Sequence, residues 1–264
     1  MGSVDGIPAY SVKVESHHPG HTPSISGFVH LFDSQNGRLL ALLESSFISG
    51  VGSALTAALA TDLLASPRAK SLAVVGTGTQ GWLGLRFLME MRTIETVTLF
   101  DLSRSKSVRT AERLRKYDSL EVRVCDSLSE TVSSADIVCC ATWSQEPLLF
   151  SEMVKPGAHI TTIGSDQVGK RELSDELLLG SSFFCDDRTL AASVGALQGV
   201  AGAERLVVGE LGEILAGRLQ GRRDPNEVTV YGAVGLPFVD LIAAWETYRR
   251  ALKKRRGRSF EPLV

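Results

Sequence analysis

The sequence predicts an α/β fold: a Rossmann-type doubly wound parallel sheet joined to a smaller α+β domain for substrate and dimer contacts. Three observations carry this. From Ser71 onward, short apolar runs alternate with helix-like segments, as parallel strands with crossover helices require. Within that region "SLAVVGTGTQGWLGLRFL" (Ser71–Leu88) sets three glycines between an apolar run and an apolar helix-like run. Upstream of Ser45 the chain shows strand signals and a hairpin turn instead.

Element by element, "YSVKVES" reads as a first strand. "GFVHLFD" and "RLLALLE" flank "SQNG", whose Asn36-Gly37 pair suits a tight turn. Phe47–Ala65 is rich in alanine and leucine at helical spacing, and Ser66-Pro67 ends it. "SLAVVG" is a short apolar strand and Trp82–Met91 a helix. "TVTLFD" is the next strand and Ser105–Lys116 a polar helix. "LEVRVCD", "ADIVCCAT", "HITTIGSD", "SSFFCDD" and "VTVYGAVG" supply further strands. From Leu236 a long helix runs to the basic "KKRRGR" end, which reads as a solvated terminus well placed against the helix dipole. The expected organisation is residues 1–62 with 235–264 as the smaller domain and 63–234 as the dinucleotide-binding domain.

Composition removes several function classes. Of 264 residues 44% are hydrophobic and 22% charged, with net charge −2, so nothing argues for bulk attraction to nucleic acid or an anionic membrane. Cys125, Cys139, Cys140 and Cys185 lack zinc or disulfide spacing; Cys139 and Cys140 read as buried strand residues. His17, His18 and His21 cluster without the carboxylate or cysteine companions of a metal site, so no metal is expected. The start lacks a signal peptide's basic end and apolar core, and no run approaches the roughly 20 apolar residues of a membrane span. A cytoplasmic protein is expected, without nucleic-acid or membrane partners.

The glycine spacing points to a dinucleotide. Gly76 permits the tight turn after the strand, Gly78 lets backbone approach a pyrophosphate, and Gly81 allows close helix–strand packing. Thr77, Thr79 and Gln80 complete a loop whose N–H groups and helix dipole face the phosphates. Asp101 ends the second strand, where a carboxylate accepts both ribose hydroxyls of NAD and repels a 2′-phosphate. Arg104, three residues on, could soften that preference. Ala141 and Thr142, at the end of "ADIVCCAT", pass close to the nicotinamide ribose in such a sheet. Trp143 either lines the pocket or packs a loop. A nicotinamide cofactor performs hydride transfer, and the protein supplies orientation and a proton donor or acceptor.

The stretches "ALLESSFISGVGSALTAALATDLLA", "VVGTGTQG", "ADIVCCATWSQEPLL", "VKPGAHITTIGSDQVGKREL", "VVGELGEILAG" and "EVTVYGAVGLPFVDLIAAW" together resemble the ornithine cyclodeaminase/μ-crystallin family. The resemblance runs from about Val12 to Arg250, and "PGAHITTIGSD..GKREL" is its most specific block. It implies a two-domain homodimer that uses NAD at the Cα–N centre of an amino acid or a cyclic imine. Ammonia loss by cyclodeamination, with NAD used catalytically, is one alternative; small-molecule and NAD binding with weak turnover is another. By motif, Asp166 in "IGSDQVGK" matches the family's acidic residue beside the nicotinamide, and Lys13 in "VKVESHHPG" matches the lysine that contacts the substrate carboxylate.

Two departures stand out. Family members carry a further segment ahead of the strand holding Lys13, and it contributes an arginine. Where the family has an Arg-Thr pair at the start of the helix after the hairpin, this chain has Gly52-Ser53. An arginine fork grips a carboxylate in two places; glycine offers nothing. Either the substrate lacks the usual carboxylate arrangement, or another cation serves, or catalysis is lost.

Overall fold

A computed structural model describes residues 1–18, 21 and 24–260. In chain order the elements are β1 (Gly2–Ser3), β2 (Ala9–His17), β3 (Ile25–Asp33), β4 (Leu39–Glu44), α1 (Ser45–Leu64), β5 (Ser71–Val75), α2 (Thr79–Met91), β6 (Thr96–Phe100), α3 (Arg104–Leu114), β7 (Glu121–Val124) and α4 (Leu128–Val132). Then follow β8 (Ile137–Cys140), β9 (His159–Thr162), α5 (Asp175–Leu179), β10 (Ser182–Cys185), α6 (Arg188–Ser193), α7 (Ala203–Leu206), β11 (Val207–Glu210), α8 (Leu211–Leu215), β12 (Thr229–Gly232) and α9 (Pro237–Lys253). The chain divides into two compact units, Met1–Gly52 with the residues from Gly235 onward, and Ser53–Val234. The first division thus falls at Gly52, inside α1, where the sequence reading had put it at residue 62.

The smaller unit holds an antiparallel sheet in the order β1-β2-β3-β4. Gly37 takes φ +72° in the β3–β4 turn, and its N–H reaches the Asp33 carbonyl at 3.0 Å. One face of the sheet buries Ala9, Val29 and Leu31 with Ile48 of α1 and Leu241 and Ala244 of α9. Alternation then puts Val14, paired with Phe28, on the opposite face, together with Leu42. That face stays apolar and open: Val14 is 60% exposed and Phe28 54%.

The larger unit holds eight parallel strands in the order β11-β10-β12-β9-β8-β5-β6-β7. The chain runs outward from β5 through β6 to β7, then returns to β8 on the other side of β5. The β5–β8 boundary is therefore a topological switch point, the place where such sheets bind ligands at their carboxyl ends. Leu72–Val75 and Ile137–Cys140 are buried throughout, which explains why these strands read as continuous apolar runs rather than alternating ones. Helix α2 turns Gly81, Gly84, Leu85 and Leu88 inward at helical spacing.

Several elements differ from the sequence reading. Helix α2 begins at Thr79, not Trp82, so its first turn includes the residues of the glycine loop. The stretch "SLSETVSS" contains α4, capped by Ser127, whose side chain accepts the Glu130 N–H. Strands β1 and β11 and helices α5 to α8 escaped detection because they span only two to six residues, too short for a period to register. Helix α1 corrects the membrane expectation on its own terms: its 20 residues are long and apolar enough to span a bilayer by length and composition. Its Ala57 and Ala58 lie in the protein core with Leu72 and Leu85, and Ala60 and Leu64 pack with Tyr231.

His159, fully buried on β9, sits between the hydroxyls of Thr229 and Thr161, each 2.9 Å away. Burial, then the nearby Arg222 and Arg92 charges, drive its pKa down to about 3 from 6.5. The unfolded chain therefore binds a proton that the folded chain refuses, and stability falls as pH drops below 6.5 until about 3. Between pH 6.5 and pH 5 this histidine accounts for about 2 kcal/mol of lost stability. Urea unfolding of the wild type and His159→Gln at both pH values is expected to show a correspondingly flatter dependence in the variant.

Candidate functional site

The three motif glycines are needed for three separate reasons. Gly76 has φ +89°, and a Cβ there would lie 2.4 Å from the Ala141 carbonyl oxygen. Gly81 sits against strand β5: a Cβ would fall 2.0 Å from the Gly76 carbonyl oxygen. Gly78 differs from both. It caps α2 in an extended conformation, and a Cβ there would meet nothing within 4 Å. The first two glycines are thus required by the protein itself; the third leaves open space directly at the helix N-terminus. No side chain caps α2, and no acid occupies its first turn. The N–H groups that a helix leaves unpaired at its start are available to an anion there. Gln80 adds a buried side-chain oxygen without a hydrogen-bond partner in the protein. Open backbone and a free helix dipole fit a diphosphate, while the Gln80 oxygen is an acceptor and suits a hydroxyl or N–H donor instead.

Asp101 follows β6 and reaches back to this loop. Its Oδ2 accepts the Thr77 N–H at 2.9 Å and the Thr77 hydroxyl at 3.3 Å; its Oδ1 accepts the Ser103 N–H at 2.9 Å. Each carboxylate oxygen can accept more than these bonds, so capacity remains for sugar hydroxyls. Arg104 forms an exposed ion pair with Asp126.

On the other side of the switch point the chain leaves β8 through Ala141 and Thr142. The Ala141 N–H donates to the Val75 carbonyl at 2.9 Å, which fixes the end of β8 beside β5. Thr142 donates both its N–H (2.6 Å) and its hydroxyl (2.7 Å) to Glu172 Oε1. The other oxygen of Glu172 accepts the Thr162 hydroxyl at 2.6 Å and the Gly164 N–H at 2.9 Å. Glu172 is fully buried and its carboxyl is raised by desolvation, opposed by those four bonds. Sequence reasoning missed it: the glutamate in "GKREL" carries no local signal that it folds inward.

Asp166 lies in the loop after β9. Its Oδ1 pairs with Lys170 Nζ at 2.7 Å, and the same ammonium stands 3.9 Å from the centre of the Trp143 ring. Lys170, which in sequence could equally be a surface residue, is only 9% exposed. Trp143 is thereby joined to the loop that carries Asp166, a cation–π contact beside an ion pair. The larger unit thus gathers Gly76, Thr77, Gly78, Thr79, Gln80, Gly81, Asp101, Ala141, Thr142 and Asp166 at the carboxyl edge of one sheet.

Lys13 belongs to the smaller unit, on β2. Its Nζ contacts Asp240 Oδ2 at 2.9 Å, the Ser49 hydroxyl oxygen at 3.0 Å and Glu15 Oε2 at 3.3 Å. Three acceptors thus lie within 3.3 Å of this ammonium. The Ser49 hydroxyl donates onward to Glu15 Oε1 at 2.6 Å. Burial raises the Asp240 carboxyl, an effect that Lys13 opposes. Gly52 is packed: a Cβ there would lie 2.9 Å from Val239 Cγ1. Among the described residues no group of three histidine, cysteine, aspartate or glutamate side chains is placed to hold a metal.

The Ornithine cyclodeaminase/mu-crystallin family profile matches residues 1–255. Ketimine reductase mu-crystallin of Mus musculus is 33% identical over 261 residues, covering 94% of this chain and 80% of its own length. The Thermococcus litoralis Delta(1)-pyrroline-2-carboxylate reductase, solved with NADH and L-proline, superposes with TM-score 0.89 at 28% identity, covering 95% of this chain and 80% of that one. An archaeal alanine dehydrogenase dimer with bound NAD gives TM-score 0.90 at 25% identity, covering 97% and 81%.

Gly78→Val separates the cradle from the scaffold. The variant is expected to melt within a few degrees of the wild type, since the added side chain enters open space. Its NADH affinity, measured by calorimetry, is expected to fall about 100-fold as the methyls block close backbone approach.

Proposed function

Because the chain belongs to the ornithine cyclodeaminase/mu-crystallin family, we propose that it is an NAD(H)-dependent oxidoreductase acting at the C=N bond of a ketimine or cyclic imine, or at the corresponding amine. The observation that carries the reading is the open backbone at Gly78, beneath an uncapped helix start and at the switch point of a parallel sheet. Gly76, Thr77, Gly78, Thr79, Gln80 and Gly81 hold the diphosphate, Asp101 the adenine-side ribose, and Ala141 and Thr142 border the nicotinamide side. The carboxylate at Asp101 favours NAD over NADP. When bound, the reduced nicotinamide supplies a hydride to the imine carbon. Asp166 handles the proton on the substrate nitrogen, held for that task by Lys170. The relative solved with NADH and L-proline supports a small amino acid or cyclic imine as substrate.

One observation favours a second reading, NAD and small-molecule binding with weak turnover. Lys13 already faces three acceptors within 3.3 Å, and the neighbouring arginine position is a packed glycine. A substrate carboxylate would have to displace Glu15, Asp240 or Ser49 to reach that ammonium.

The apolar sheet face of Val14, Phe28 and Leu42 supports a homodimer, since an exposed patch of this kind on an antiparallel sheet marks a contact surface. Phe28→Asp is expected to shift the protein from dimer to monomer in light scattering coupled to size exclusion.

Mixing the protein with NADH and a panel of cyclic imines and ketimines, and following absorbance at the reduced-nicotinamide band, tests the enzyme reading. At least one imine is expected to be reduced. Asp166→Asn is expected to lower kcat by about 10²- to 10⁴-fold, with NADH affinity within twofold of the wild type. Flat traces across the panel with NADH bound would favour the binding protein.

A further inference from the structure

Glu172 ties the β8 exit to the β9 exit through four hydrogen bonds to its buried carboxyl. Oε1 takes two bonds from Thr142, and Oε2 takes one each from Thr162 and Gly164. A backbone N–H points at each oxygen, and an N–H cannot accept a proton-bearing carboxylic acid's hydrogen. Two obligate N–H donors and two hydroxyls aimed at one carboxyl are best used by the ionised form, against the desolvation that raises its pKa. No lysine, arginine or histidine among the described residues is paired with it, and neither a cation nor an arginine offsets its burial. The packing leaves no slack: a Cβ on Gly164 would lie 2.4 Å from Glu172 Oε1 and 2.3 Å from the Thr142 carbonyl oxygen. The result is a buried carboxyl held by hydrogen bonds alone beside the backbone of Thr142 and Gly164.

This inference rests on the cofactor reading above. With the diphosphate at α2 and the adenine ribose at Asp101, the remaining half of a dinucleotide runs across the switch point towards the carboxyl ends of β8 and β9. The nicotinamide ring is neutral when reduced and positively charged when oxidised. We propose that Glu172 is a positioning residue that also biases the site electrostatically: its buried charge favours the oxidised, cationic ring over the reduced one, and so assists hydride donation. A buried charge acts through a low dielectric, where screening is weak, so the bias is felt without contact.

The test is the ratio of affinities, not the affinity alone. NAD+ and NADH dissociation constants are measured by calorimetry for the wild type and Glu172→Gln at pH 7.5. The variant is expected to lose about tenfold in NAD+ affinity while NADH affinity changes less than twofold, a shift of the size one nearby unit charge produces. A purely structural role would weaken both forms by the same factor, and equal losses would overturn the proposal. Should Glu172→Gln fail to fold, Thr162→Val carries the test: it removes one donor from Oε2, leaves the charge less supported, and is expected to move the ratio the same way by a smaller factor. An unchanged ratio in the folded variant overturns the role of Glu172 and leaves the cofactor reading standing. Absence of binding of either form to the wild type overturns both.

Discussion

The contact between Gly81 and the Gly76 carbonyl is the constraint on which the site depends. Helix α2 can start where it does only because no side chain stands between its first turn and the end of β5, with 2.0 Å separating a hypothetical Cβ from that oxygen. Any larger residue would lift the helix away from the strand, and the helix N-terminus would no longer sit at the switch point. The positive φ of Gly76 turns the chain so that the helix dipole points back across the strand end. Leu85 and Leu88, one and two turns along, then bury against the sheet and secure the placement at about 1.5–3 kcal/mol per side chain.

Around this steric core, carboxylates set the electrostatics of the sheet's carboxyl edge, and each is satisfied differently. Asp101 is held mainly by two backbone N–H groups and keeps accepting capacity. Asp166 is paired to an ammonium that is itself mostly buried against Trp143. Glu172 has hydrogen bonds alone. The three differ in what they leave free. Asp101 keeps capacity for hydroxyls, Asp166 keeps its second oxygen outside the Lys170 pair, and Glu172 has neither because its oxygens are fully used. It acts through field and through the positions of Thr142 and Gly164.

The parts of this arrangement legible in the sequence are those with a local cause. The glycine spacing, the apolar run before it and the acid at the end of the next strand follow from short-range sterics and hydrogen bonding, and residue order displays them directly. The start of α2 was misplaced by three residues because Thr79 and Gln80 are neutral to the helical period and look like loop. Glu172 was invisible as a functional group, and Lys170 stayed open between a cation near Asp166 and a surface residue, because nothing in "GKREL" distinguishes a side chain that folds inward from one left in water. Their burial is decided by β8, thirty residues away for the Thr142–Glu172 bonds, and by the tryptophan that covers the ammonium. The division of the chain inside α1 was equally hidden, since the helix is continuous in sequence and in structure.

Lys13 shows how a motif match and its surroundings can pull apart. The residue stands where the resemblance requires, yet two carboxylates and a hydroxyl already face its ammonium. A third carboxylate arriving from a substrate would compete with those two for the Lys13 ammonium. An arginine at position 52 would offset this, but Val239 fills the space its Cβ would need. On this unit Glu15, Asp240 and Ser49 already hold the Lys13 ammonium, which is what favours the reading of binding with weak turnover.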